Sequence, residues 1–269
     1  MRTGAVIATL FVAALASRPG PARAEDIISG IGLTHLTVYD QRPAPDGKMS
    51  GSPHVHAVTD EGYYVMSGRG QVELHDLENG FRTVELTPGS YLQFPPGTLH
   101  RLVNTDHLVL LVVMGNAGLA ERGDARIYFG KAVDDDPAEF DRLVGLAKAK
   151  GLEGALDRRD AAIRAYMGLV ELWTKDQPAY YVELARFIRV HMQAAARQVS
   201  GFGRAVEAGP MAWGLRFRKR LENLPGGSEE AGPVLHVPSG STTLGMCGVL
   251  SPVTTLEPVG PATKSGKRK

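Results

Sequence analysis

Four residues able to ligate a metal stand out. His54 and His56 are one residue apart in HVHAVTDEGYYVMSG (54–68), Glu61 follows a Thr59-Asp60 turn, and His100 stands in GSYLQFPPGTLHRLVN (89–104). In an extended strand, residues i and i+2 share a face, so both imidazoles point the same way. Glu61 begins the next strand, where it can swing back to that side. Three ligands of mixed nitrogen and oxygen type then converge from one hairpin, and a divalent metal wants at least one more. His100 emerges on a strand distant in sequence, after Pro95 and Pro96 end one strand and Gly97 reverses the chain. Three imidazoles and one carboxylate form a set that leaves two positions of an octahedron open for water, substrate or dioxygen. The expected cofactor is one divalent transition metal, with Fe, Mn, Ni, Cu and Zn all compatible. The carboxylate of Glu61 could also leave the metal and act as a base.

The elements that must position these residues are short strands. From Ile31 to about Lys131, segments such as LTHLTVYD, YYVMSG, RGQVELHD, FRTVEL and HLVLLVVMG are rich in β-branched and aromatic residues. Turn sequences such as PAPDG, LENG and TPGS separate them, with no helices between. That spacing predicts an antiparallel sandwich or barrel. At Asp136 the period changes. Asp136 reads as an N-cap, Pro137 as the first helical residue and Glu139 as the closing member of a capping box. Apolar stripes follow at Phe140–Ala147, Ile163–Trp173 and Tyr181–His191, with Pro178 at the start of the third helix, and a weaker fourth helix runs through MAWGLRFRKRLENL. The stripes need a partner, so the helical region is expected to cover a barrel face or build a homodimer contact. After Pro225 the composition drifts to Gly, Ser, Thr and Pro without periodicity, which predicts a disordered tail.

Composition narrows the function classes. A formal charge of +1, with no strongly basic half, argues against nucleic acid as the main partner. The first residues read as a secretory signal: Arg2, the apolar run AVIATLFVAALA (5–16), then ARA (22–24) before Glu25. The apolar run is too short to span a bilayer, which takes roughly 20 residues. The expectation is therefore a soluble protein exported to the periplasm or beyond, cleaved after Ala24, without stable membrane insertion. The mature chain would hold one cysteine, Cys247, so no internal disulfide can form. Its Gly/Ser/Thr-rich surroundings offer no sequence neighbour to stabilise a thiolate.

Several further side chains admit two readings. Tyr63 shares the strand face of Glu61 and is either a proton donor in the pocket or packing. His75 alternates with Gln71 and Glu73, on either a polar interior or a solvated outer face. His35 sits in a strand, His107 beside Asp106 in a turn, and His191 on a packing stripe.

The two histidine-bearing stretches resemble the paired motifs of the cupin superfamily. The segment His54–Gly68 fits the first motif, H-x-H, four residues, E, six residues, G. The segment Gly89–Asn104 fits the second, G, five residues, P-x-G, two residues, H, three residues, N. One departure is Lys48 where a turn glycine usually stands, with Gly47 and Gly51 close by. The resemblance covers roughly residues 28–133 and implies a jelly-roll β-barrel holding a metal in its mouth through His54, His56, Glu61 and His100. The expected organisation is a signal peptide over 1–24, the barrel over 28–133, a helical region over 134–226 and a low-complexity tail over 227–269. Cupins include dioxygenases, isomerases, epimerases and binding proteins, so fold alone does not choose. The leading expectation is an oxidoreductase of quercetinase-like dioxygenase type acting on a small molecule, with Glu61 and Tyr63 as its catalytic residues. The alternatives are an exported small-molecule-binding or sensor cupin and a sugar isomerase or epimerase. No arginine cluster inside the motifs offers to hold the phosphate of a phosphosugar.

Overall fold

The computed structural model describes residues 22–23, 27–226 and 232–259. The export segment expected over 1–24 lies, apart from Ala22–Arg23, outside the described residues. The strands are, in order, β1 (Ala22–Arg23), β2 (Gly32–Val38), β3 (Met49–Ser50), β4 (His54–His56), β5 (Glu61–Asp76), β6 (Gly80–Leu86), β7 (Tyr91–Phe94), β8 (Leu99–Met114) and β9 (Ala125–Ile127). The helices are α1 (Lys131–Asp134), α2 (Pro137–Val144), α3 (Leu146–Lys175), α4 (Gln177–Ala195), α5 (Val199–Val206) and α6 (Ala212–Glu222). Four more strands close the described chain: β10 (Val234–Leu235), β11 (Thr243–Leu244), β12 (Gly248–Pro252) and β13 (Thr255–Pro258).

The architecture is an antiparallel jelly roll followed by a helical region. Its spine is the ribbon of β5 and β8, paired from Glu61↔Met114 at one end to His75↔Leu99 at the other. Laid straight, a strand would put Glu61 and Leu74 roughly 40 Å apart. Leu74 is the cross-strand partner of His100, yet the Glu61 carboxylate lies 3.0 Å from the His100 ring. The ribbon reconciles these by folding over at irregular pairings between Val65 and Gly70. Gly68 sits at that fold with φ +75°, and a Cβ there would meet the His107 carbonyl oxygen at 2.2 Å. Only glycine fits.

Side chains facing into the roll make the main core, with Tyr63, Val65, Val72, Leu74, Leu102 and Leu110 all buried. The opposite face of the ribbon is covered by helices. Val55, Leu99 and Tyr128 of the barrel pack against Tyr166, Leu169, Tyr180, Leu184 and Phe187 of α3 and α4. Glu73 is buried under that cover, where it accepts from Tyr166, Arg101 and Lys48. Helix α2 starts at its expected cap, where the Asp136 carboxylate accepts from the Ala138 and Glu139 amides, while the Glu139 carboxylate pairs with Arg142 instead of closing the box; α4 starts at Asp176, which accepts from Ala179 ahead of Pro178. Among the described residues, no helix is long and apolar enough to cross a membrane.

One stretch departs from the expected tail. Strand β12 pairs with the edge of β2 from Gly248↔Val38 to Pro252↔Thr34, and β11 pairs with β12, so residues 243–252 extend the main sheet. The low-complexity boundary at 227 is therefore not the end of the folded barrel. The order of this stretch comes from backbone pairing to an exposed sheet edge, a non-local cause that composition does not register. It passes so close to the barrel that a Cβ on Gly51 would meet the Cys247 Cα at 2.5 Å.

Candidate metal centre

Strand β4 supplies His54 and His56, the start of β5 supplies Glu61, and the start of β8 supplies His100. Cross-strand pairing of His54 with His100 fixes two of the rings against each other. One donor atom from each of the four lies within 4.8 Å of the others, and all four residues are buried. The Glu61 carboxylate oxygen Oε2 is 3.1 Å from His56 Nε2 and 3.0 Å from His100 Nε2. His100 Nε2 is 3.1 Å from His54 Nε2. Adjacent ligands of an octahedral ion with bonds of about 2.1 Å stand about 3.0 Å apart, so these spacings fit such an ion.

The hydrogen bonds behind the rings fit it as well. Each Nδ1–H donates outward: His54 to the Ser52 carbonyl at 3.1 Å, His100 to the Thr98 carbonyl at 3.0 Å, and His56 to Asp124 Oδ2 at 2.9 Å. Those acceptors commit every Nε2 to present its lone pair to the centre. Three lone pairs and a carboxylate facing one another need a cation between them. Without a metal, a proton takes that part. Burial pushes the His56 pKa down, but the Glu61 and Asp124 carboxylates outweigh it and lift the pKa to about 9. Burial, with His100 and His56 beside it, drives the His54 pKa well below the usual imidazole range. Burial alone would raise the Glu61 pKa, yet the His100 and His56 rings hold it well below that of an ordinary carboxylate.

Asp124 is the residue that sequence reasoning missed. Its Oδ1 accepts from the Ala57 and Val58 amides, and its carbonyl accepts from the Ala57 amide and from His191 Nε2 at 2.6 Å. It thereby fixes the backbone after β4 as well as the His56 ring. Nothing in its RGDAR context signals this, because the contact spans 68 positions. His191 is thus a buried histidine that braces Asp124 from α4, not one of the four converging residues.

The other candidates fall elsewhere. Tyr63 is fully buried in the barrel core, and its hydroxyl has no hydrogen-bond partner. Burial, with Glu61 and Cys247 near, raises its pKa well above the usual phenol value, so it stays protonated. His75 is neither interior nor solvated. It faces outward and is buried beneath the helices, 2.9 Å from the Tyr180 hydroxyl and 2.7 Å from that of Tyr166. His107 is exposed beside Asp40 at 3.2 Å. His35 pairs with Leu111 and Ser251 along the sheet, outside the cluster.

A cavity of about 230 Å³ opens beside the cluster. His54, His56 and Glu61 line it, together with apolar side chains that include Leu36, Val112, Met114 and Leu250. Outside the motifs, Thr34, Ala120, Glu121 and Ala125 line it too, as do Arg158 from α3 and the 244–247 stretch that carries Cys247. The Cys247 sulfur is 3.9 Å from His54 Nδ1. A larger cleft of about 440 Å³ lies between α2 and α3, and charged side chains, among them the Arg142–Glu139 pair, Asp157, Asp160 and Arg164, occupy its walls.

Fold and cluster together define a jelly-roll protein with one candidate mononuclear centre of three histidines and a carboxylate. Residues 43–114 match the Cupin domain family, which places that segment of the chain in the cupin superfamily. Among solved structures, it is similar to a sugar 3,4-ketoisomerase from Thermoanaerobacterium thermosaccharolyticum in complex with TDP (18% identity, 35% of this chain, 64% of that one, TM-score 0.29). It is also similar to a cupin protein from Bacteroides fragilis (19% identity, 41% of this chain, 85% of that one, TM-score 0.26). A third is the CENP-C cupin domain of Drosophila melanogaster (17% identity, 33% of this chain, 61% of that one, TM-score 0.25). The chain spans less than two thirds of the length of the first and third of these. At such values none of them bears on activity. No curated protein matches the chain in sequence.

Proposed function

We propose that this chain is a metal-dependent cupin enzyme of the oxygenase type, acting on a small organic molecule of largely apolar body. The observation that carries the reading is the buried convergence of His54, His56, Glu61 and His100 on the wall of a cavity otherwise lined mostly by aliphatic side chains. A divalent ion held by those four residues would supply Lewis acidity and open coordination positions. The remaining work falls to the chain. Ser52, Thr98 and Asp124 orient the three rings, and burial keeps bulk water from the ligands. Glu61 stays ionised and lines the cavity, and on leaving the ion it would be the carboxylate placed to accept a proton from a substrate there. Tyr63 stays protonated in the barrel core and is not among the residues lining the cavity, which favours packing over a catalytic part.

The lining favours this reading over a sugar isomerase. A polyhydroxylated ring needs a matching set of polar groups, and besides the cluster the cavity sets only Thr34, Glu121, Arg158 and Cys247 among mainly Leu, Val and Met carbons. The volume also lies below the roughly 300–1,000 Å³ typical of pockets for drug-sized ligands. The test is oxygen uptake by iron(II)-loaded protein against a panel of catechols, flavonols and diketones, with metal content read by mass spectrometry. Uptake with at least one class, lost in His100→Ala together with the metal, is the expected result. Metal retained at wild-type level in His100→Ala would show that the site lies elsewhere. Tight binding of a panel member without uptake would favour a binding protein instead.

A further inference from the structure

The helical region contributes more to this cavity than a wall. Arg158, on α3, is only 6% exposed and lines the cavity together with His54, His56 and Glu61. Among the described residues it has no carboxylate within ion-pair distance. Its one hydrogen bond runs from a terminal nitrogen to the Gly245 carbonyl at 2.6 Å, and its Nε is buried without a partner. The other fully buried arginines are matched differently. Arg159 pairs with Asp160 at 2.8 Å and donates to the Arg42 and Pro43 carbonyls, while Arg101 pairs with both Asp46 and Glu73. Removing a cation from water without a counter-charge costs several kcal/mol even after relaxation. The fold keeps one such cation here, beside a cavity.

We propose that Arg158 is an anion subsite that receives a carboxylate of the bound molecule, while the opposite end of that molecule faces the four-residue centre. The planar guanidinium suits a carboxylate, which can accept two parallel N–H bonds, and Nε is already free to provide one of them. Outside the four-residue centre, Arg158 and Glu121 are the charged side chains that line the cavity. The aliphatic lining between Arg158 and the centre suits a short carbon chain or ring. The substrate class is thus a small carboxylic acid with an apolar body and an oxygen function at its other end. This subsite lies outside the Cupin domain match at 43–114, being built by α3 and by Gly245 of the C-terminal stretch. The metal-binding role of the adjoining centre rests on the function proposed above; the Arg158 subsite can be tested apart from it.

The test uses the full chain, first without metal and then loaded with one divalent ion, and titrates it with hexanoate and with hexanamide of the same shape. In the wild type, hexanoate should bind roughly tenfold or more tightly than hexanamide, as charge-assisted pairing in a buried site implies. In Arg158→Met the ratio should fall to about one, with unchanged metal content. Arg158→Lys keeps a charge without the fork, so part of the preference should survive. Melting curves for both variants establish that they are folded. Equal affinity for hexanoate and hexanamide in the wild type, or an undiminished ratio in Arg158→Met, would overturn the subsite. A wild-type chain that takes up no metal yet keeps the hexanoate preference would leave the subsite standing and overturn the function reading alone.

Discussion

Replacing Asp124 by Asn tests whether the histidine rings are set from behind. Asn keeps the shape of the side chain, and its carbonyl oxygen can still accept from the Ala57 and Val58 amides as Asp124 Oδ1 does. Its amide nitrogen then faces His56 Nδ1, where Asp124 Oδ2 now stands at 2.9 Å. A donor meeting a donor is resolved by moving the ring proton to Nε2, which removes the lone pair that His56 offers to the centre. Losing such an outer partner typically lowers metal affinity by about 10–100-fold, or roughly 1.4–2.7 kcal/mol. The metal-free protein should lose about 1.5–3 kcal/mol of stability through the missing charge-assisted bond. Competition with a chelator of known affinity gives the first quantity, and urea unfolding of the metal-free chain gives the second. Unchanged metal affinity in a folded Asp124→Asn chain would refute the argument that this carboxylate fixes the tautomer.

Further outcomes follow from burial and close approach. Burial lowers the His75 pKa to about 3 and the His191 pKa to about 4, whereas burial raises that of Asp134 to about 6. Between about pH 4.5 and 6, the unfolded chain gains three histidine protons, at His54, His75 and His191, that the folded metal-free chain refuses, and the folded chain holds one extra on Asp134. Two net protons favour unfolding, so metal-free stability should fall by about 2.7 kcal/mol per pH unit on acidification across that window; a flat urea midpoint there would contradict it. Gly51→Val should displace the 244–250 stretch, since even a Cβ meets the Cys247 Cα at 2.5 Å; proteolysis of that stretch should accelerate while the barrel core stays intact by circular dichroism. Protein recovered from a secreting host is expected to begin at Glu25 by intact mass, and a full-length membrane-bound product would exclude export with cleavage.

The sequence by itself determined the strand-rich barrel and the four converging residues. Both depend on local rules: alternation brings His54 and His56 to one face, and turn residues place Glu61 and His100 at strand starts. The helix start at Asp136 was legible for the same reason, because a cap is a contact between near neighbours. Only the tertiary structure decided what surrounds the centre. Asp124 reaches His56 across 68 positions, and Cys247 lies beside His54 across 193. Arg158 enters the cavity from a helix whose apolar stripes speak only of packing. His75 has the alternation of a solvated face, yet two tyrosines from α3 and α4 bury it. The 243–252 stretch carries no periodic signal, because its order is lent by the open edge of β2. Periodicity and capping record forces between residues a few positions apart. The cavity is made by pairings that the chain forms only after it has folded back on itself.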